Sequence, residues 1–120
     1  MADERILVVD DEEDLCEILQ FNLEQAGYMV DVAYSAEDVL KQDNLDSYQL
    51  FMLDVMMGEI SGFKLGTMLR KNDATANIPI IYLTAKYTEA DKLRGFSIGA
   101  DDYISKPYSI NEVLARVKAV

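Results

Sequence analysis

Four short apolar runs in this chain each lead to a residue able to do chemistry, and that arrangement narrows the possible folds sharply. Leu50-Phe51-Met52-Leu53 stops at Asp54, residues 6–9 stop at Asp10 and Asp11, residues 78–83 stop at Thr84, and residues 101–104 lead to Lys106. An unbroken run of large apolar residues fits a strand buried on both faces, as in parallel sheets with helices on each side. In such a sheet the carboxyl ends of all strands share one edge, and ligands bind there where the strand order reverses. The acids, the threonine and the lysine are therefore expected to meet.

The segments between the runs supply the helices. Residues 13–26 carry Leu15, Ile18, Leu19 and Leu23 at helical spacing, with Gly27 at the position of a left-handed cap. Residues 28–33 read as a strand. Ser35-Ala36-Glu37-Asp38 opens a short helix to about residue 41, and 42–48 loops back to a strand at 49–53. A third helix is expected over 62–71, where Gly66 costs about 1 kcal/mol relative to alanine. A strand at 78–83 tolerates Pro79 at its start. A helix from Thr88 to about residue 99, a strand at 101–104 and a helix capped by Ser109 and running to Val120 complete the pattern. Five strands alternating with five helices imply right-handed crossovers and an α/β, doubly wound five-stranded parallel sheet of flavodoxin-like (βα)5 form.

At 120 residues this is one domain, large enough to bury roughly two-thirds of its unfolded surface. A net charge of -11 argues against this piece gripping nucleic acid, which takes clustered Lys and Arg. The single cysteine, Cys16, forms no internal disulfide and reads as a small apolar helix residue. No leader and no long apolar stretch points to a membrane, so a cytoplasmic protein is expected. The chain has no histidine, which removes Ser-His and Cys-His catalysis.

Asp10, Asp11 and Asp54 at about 4 to 6 Å would repel by about 4 kcal/mol per pair at an effective dielectric of 20. A cation among them is the natural remedy. All-oxygen ligands with room for water suit Mg2+, or Mn2+ in its place, better than the denser cage Ca2+ prefers. With Lys106 as a point charge and Thr84 as a hydroxyl donor, the cluster forms a socket for a phosphoryl group in which Asp54 is the carboxylate nucleophile.

The stretches Leu7-Val8-Val9-Asp10-Asp11-Glu12, Leu53-Asp54-Val55-Met56-Met57, Leu83-Thr84-Ala85-Lys86 and Gly99-Ala100-Asp101-Asp102-Tyr103-Ile104-Ser105-Lys106-Pro107-Tyr108 resemble, in order and spacing across all 120 residues, the receiver domain of two-component response regulators. The resemblance implies a phosphoacceptor switch rather than an enzyme, with only weak self-phosphorylation and self-dephosphorylation. Asp54 would take phosphate from a sensor histidine kinase. Mg2+ would be held by Asp11, Asp54 and the Met56 carbonyl, with Asp10 acting through water. Thr84 and Tyr103 would be the switch pair, Lys106 would meet the phosphoryl group, and the Lys106-Pro107 peptide would be cis. Two departures stand out: the family usually has proline at Gly58 and often an acid at Ser61, so the loop after Asp54 is expected to be more mobile. Apolar Met56, two residues after the acceptor, is expected to position attacking water poorly and prolong the phosphorylated state.

The segment Ala100-Asp101-Asp102-Tyr103 with Glu112-Val113-Leu114-Ala115-Arg116-Val117 is similar to the OmpR/PhoB subfamily. That similarity implies an output face on the fourth helix, fifth strand and fifth helix, where active receivers form homodimers. Lys92 would pair with Glu112 and Asp102 with Arg116 across a two-fold axis. Ser97 replaces an acid that would meet Lys118, which would weaken the dimer. A winged-helix DNA-binding domain, absent from this sequence, would follow Val120 and carry the transcriptional output, so DNA would be touched only through it.

Two other readings lie within the receiver family, and two outside it fit less well. A stand-alone regulator or a piece of a hybrid kinase shares every feature above. A haloacid dehalogenase-type phosphatase needs a second acid two residues after its nucleophile, where this chain has Met56. A flavodoxin-like binding module needs a phosphate-cradling loop after the first strand, where Asp10-Asp11-Glu12-Glu13 repels phosphate unless a metal intervenes.

Overall fold

The computed structural model describes residues 4–84, 101–106 and 108–120. Five strands, β1 (Arg5–Val9), β2 (Met29–Ala33), β3 (Leu50–Asp54), β4 (Ile80–Thr84) and β5 (Asp102–Ser105), form one sheet in the order β2-β1-β3-β4-β5. All four pairings are parallel. The chain thus winds outward in one direction from β1 and then crosses back to build the other half, which puts the reversal between β1 and β3. Among the described residues the helices are α1 (Glu13–Gln25), α2 (Ala36–Leu40), α3 (Gly62–Lys71) and a C-terminal helix (Ile110–Ala119), with a 3-10 turn at Leu45–Ser47.

The two-residue period of the strands divides the core in two. Leu7, Val9, Phe51, Leu53, Ile80 and Tyr82 point to one face and pack with Val39 of α2 and Phe63, Leu65 and Leu69 of α3. Ile6, Val8, Leu50, Met52, Ile81 and Leu83 point to the other and meet Cys16, Leu19 and Leu23 of α1 and Val113 and Val117 of the C-terminal helix. This is why the runs read as uniformly apolar: both sets of alternate residues are buried.

Local signals placed most boundaries. Ser35, Ser61 and Ser109 each accept a hydrogen bond from the backbone N–H three residues on, satisfying a free donor at the helix start. Gly27 takes φ 104° just after α1, a conformation open to glycine. Four of the five strands shift: the second begins at Met29 rather than residue 28, and the third runs Leu50–Asp54 rather than 49–53. The fourth begins at Ile80 rather than residue 78, since Pro79 has no N–H for the ladder and contributes only its carbonyl, which accepts from Phe51 at 3.0 Å. The fifth is Asp102–Ser105 rather than 101–104: the Asp101 carboxylate caps the ladder from outside, accepting from the Ile80 N–H at 2.9 Å and from Arg70 at 3.2 Å.

Gly66 also differs from expectation. A Cβ there would overlap the Tyr82 hydroxyl, so the residue is a contact requirement and not only a helix weakness. The helix expected from Thr88, Lys86, Lys92, Ser97 and the Lys106-Pro107 peptide lie outside the described residues. Among the described residues no helix is long and apolar enough to cross a membrane.

Candidate functional site

Register brings the sequence-distant residues to one edge. Val9 lies opposite Leu53, Asp54 opposite Leu83, and Thr84 opposite Ser105. Beyond the paired residues the ladder continues: the Asp10 N–H donates to Ala33 at 3.1 Å, Val55 to Leu83 at 2.9 Å, and Lys106 to the Thr84 carbonyl at 2.7 Å. The last of these carries Lys106 from the end of β5 over the end of β4. Its ammonium reaches Asp10 Oδ2 at 3.0 Å, Glu12 Oε1 at 3.0 Å and Asp54 Oδ2 at 3.6 Å.

The acids are held in different ways. Asp10 is fully buried, with Oδ1 accepting from the Glu12 N–H at 2.9 Å and Oδ2 against Lys106. Asp54 is 2% exposed, with Oδ1 accepting from the Met56 N–H at 3.3 Å. Asp11 is exposed. One carboxylate oxygen from each of Asp10, Asp11 and Asp54 lies within 4.8 Å of the others. Three oxygen donors at that spacing, one open to solvent, fit a hard divalent cation that keeps part of its water.

The site is electrostatically strained without a cation. Burial, and then the Asp10 charge, push the Asp54 carboxyl up to about 7, although Lys106 and the Met56 N–H pull it down. Burial works against the Lys106 charge too. Hydrogen bonds to Glu12 and Asp10, with the charges of Asp54 and Asp10, outweigh it and hold the ammonium above the ordinary lysine range. Beneath the site, Cys16 Sγ donates to the Asp10 carbonyl at 3.3 Å. Burial followed by the Asp10 charge pushes that thiol up to about 12, so Cys16 is a packing residue and no nucleophile.

Asp10, Asp54 and Lys106 meet as the sequence suggested, and Thr84 is buried at the same edge as the last residue of β4. The Met56 side chain is 71% exposed while its N–H faces Asp54. Tyr103 is turned inward: its ring stacks on Tyr82 at 5.8 Å, and Tyr82 meets Phe63 edge-on at 4.9 Å. On the expected output face, Arg116 makes a bidentate pair with Asp102 of its own chain at 2.9 Å to each oxygen, and reaches Glu112 at 3.2 Å. Asp102 and Arg116, expected to pair across a two-fold axis, already pair within one chain.

Two contributors escaped the sequence reading. Glu12 adds a third acid to Lys106, and Gly62 lets α3 start against β3, since a Cβ there would overlap the Asp54 carbonyl. Glu12 was visible as the acid following the pair, but which way it points depends on the helix start. Gly58 has φ 29°, a value proline's fixed ring cannot reach, so the loop after Asp54 follows a path of its own.

Comparison with known proteins agrees with this geometry. The response regulator receiver domain family matches residues 6–118. The chain is 46% identical over 116 residues to the alkaline phosphatase synthesis transcriptional regulatory protein PhoP of Bacillus subtilis, covering 97% of this chain and 48% of that protein. It is 40% identical to the response regulator ArlR of Staphylococcus saprophyticus, with 97% and 51% covered. Among solved structures, the Thermotoga maritima OmpR/PhoB homologue DrrB superposes with a TM-score of 0.87 at 32% identity, covering 97% of this chain and 51% of that one. The HemR receiver domain of Leptospira biflexa gives 0.86 at 35% identity, with 97% and 92% covered. The chain spans about half the length of the curated relatives it matches. It belongs to the response regulator receiver domain family, on the OmpR/PhoB side of it.

Proposed function

We propose that Asp54 accepts a phosphoryl group from a sensor histidine kinase and that the modified domain switches an attached output. The observation that carries this reading is the near-buried Asp54 carboxylate facing the Lys106 ammonium at 3.6 Å, with two further acids beside it. In the transfer an Asp54 carboxylate oxygen attacks the phosphorus, the bond to the donor nitrogen breaks, and the imidazole leaves. The 120 residues contain no histidine, so the donor lies outside them.

Asp11, Asp54 and the Met56 carbonyl are assigned to Mg2+, with Asp10 through water. When bound, the ion offsets the crowded negative charge and that of the incoming phosphoryl oxygens. Lys106 supplies a second positive charge from the β5 side, and the Thr84 hydroxyl is assigned as a hydrogen-bond donor to the phosphoryl group. Asp10, locked between the Glu12 N–H and Lys106, keeps the ammonium over the acceptor. Burial and the Asp10 charge push the Asp54 carboxyl up, and a bound cation would favour its ionised, nucleophilic form.

Tyr103, inward on Tyr82, and Thr84 are assigned as the switch pair, with output through the face carrying Asp102, Glu112 and Arg116, together with Lys92. On that face we assign a homodimer of the phosphorylated form, controlling a DNA-binding output domain in the cytoplasm. The names of relatives such as PhoP, a transcriptional regulatory protein, support a transcriptional output. The test is incubation with acetyl phosphate or a kinase and Mg2+, followed by intact mass. One phosphoryl adduct is expected on the wild type and none on Asp54→Ala; an adduct surviving the substitution refutes the acceptor assignment.

A further inference from the structure

We propose that Glu12 is a positioning residue that holds the Lys106 ammonium in competition with the acceptor, so that phosphorylation must draw the lysine away from it. The inference rests on Asp54 being the acceptor.

Lys106 Nζ stands at 3.0 Å from both Glu12 and Asp10 but at 3.6 Å from Asp54. The two close partners differ in freedom. Asp10 is fully buried with both oxygens engaged, whereas the Glu12 side chain is 59% exposed and, among the described residues, its carboxylate bonds to Lys106 alone. Glu12 is also the N-cap residue of α1, yet its side chain makes no capping bond, so its carboxylate serves Lys106 and not the helix. Phosphorylation replaces the single charge of the Asp54 carboxylate with a phosphoryl group carrying roughly -1.5 to -2. The ammonium then gains by moving toward it, and the contact that opens at least desolvation penalty is the one to solvent-exposed Glu12. Glu12 therefore opposes the phosphoryl-bound arrangement by the strength of one partly exposed ion pair.

Beryllofluoride in excess Mg2+, a phosphoryl mimic, tests this, with backbone NMR reporting saturation. Glu12→Gln should tighten half-saturation about threefold, the scale of a screened pair. Glu12→Asp, with the same charge on an arm one methylene shorter, should do the same. In a Lys106→Met background neither change should matter, a cycle that a merely structural role would not produce. The Lys106 side-chain resonances of the metal-free protein should also move in both Glu12 variants. Unchanged or weaker binding in Glu12→Gln overturns the proposal, as does equal tightening without the lysine. A wild type that takes up no beryllofluoride instead sinks the acceptor assignment, and this inference with it.

Discussion

Replacing Asp54 by asparagine should stabilise the metal-free protein, by an amount that depends on pH. The carboxyl moves from 3.8 in an unfolded chain to about 7 in the folded one, with burial as the main cause and Asp10 next. A raised carboxyl is bound more tightly to its proton in the native state, so its effect on stability is absent below 3.8. It grows unfavourable as pH rises from 3.8 to about 7 and is constant above that. The full interval corresponds to roughly 4 kcal/mol; since Asp10 and Lys106 respond together with Asp54, about 2 to 4 kcal/mol is expected. Urea unfolding of both proteins in EDTA between about pH 4 and pH 8.5 measures it. The advantage of Asp54→Asn should be smallest at the acid end, rise through neutrality and then level. Added Mg2+ should narrow the gap by favouring wild type, by about 1.4 kcal/mol at tenfold over its Kd. A gap that stays constant with pH, or that closes toward alkaline pH, refutes the account of strain at this site.

Other expectations follow from single contacts. Gly66→Ala should destabilise by about 1 to 3 kcal/mol despite alanine's better helix propensity, because the new methyl overlaps the Tyr82 hydroxyl; thermal melting decides the sign. Tyr82→Phe should raise stability by about 1 kcal/mol, since among the described residues that buried hydroxyl has no hydrogen-bond partner. Arg70 donates to the Ala76 and Ile78 carbonyls and to Asp101, so Arg70→Ala should cost about 2 to 3 kcal/mol in chemical denaturation; a loss under 0.5 kcal/mol would deny the clamp that importance. With Met56 exposed and apolar, the phosphorylated form should persist well beyond seconds in a discharge assay, and Met56→Glu should change that lifetime; rapid loss from the wild type contradicts the reading.

What sequence reasoning recovers here tracks how local the cause is. Gly62–Lys71 was legible because its apolar residues recur at helical spacing, a cause that acts within a few positions. The strands Leu50–Asp54 and Ile80–Thr84 were legible as buried runs but with shifted starts, as a ladder's first bond depends on its neighbour: Pro79 gives an acceptor and no donor, and Gln49 serves Arg5 from outside the strand. The site residues Asp10, Asp54 and Lys106 were found because strand ends in a parallel sheet share an edge. Gly66 was read only as a helix weakness and Glu12 passed over, for one reason: each matters through a partner far along the chain, Tyr82 for one and Lys106 for the other, and spacing alone carries no trace of such meetings.

The ammonium of Lys106 joins carboxylates 96 and 94 positions earlier in the chain. During synthesis the acidic pocket is therefore made early and its counter-charge late. Until β5 docks beside β4, the growing polypeptide holds that cluster of acids without the Lys106 ammonium. Closing the sheet at β5 is thus the step that brings the cation to the acids.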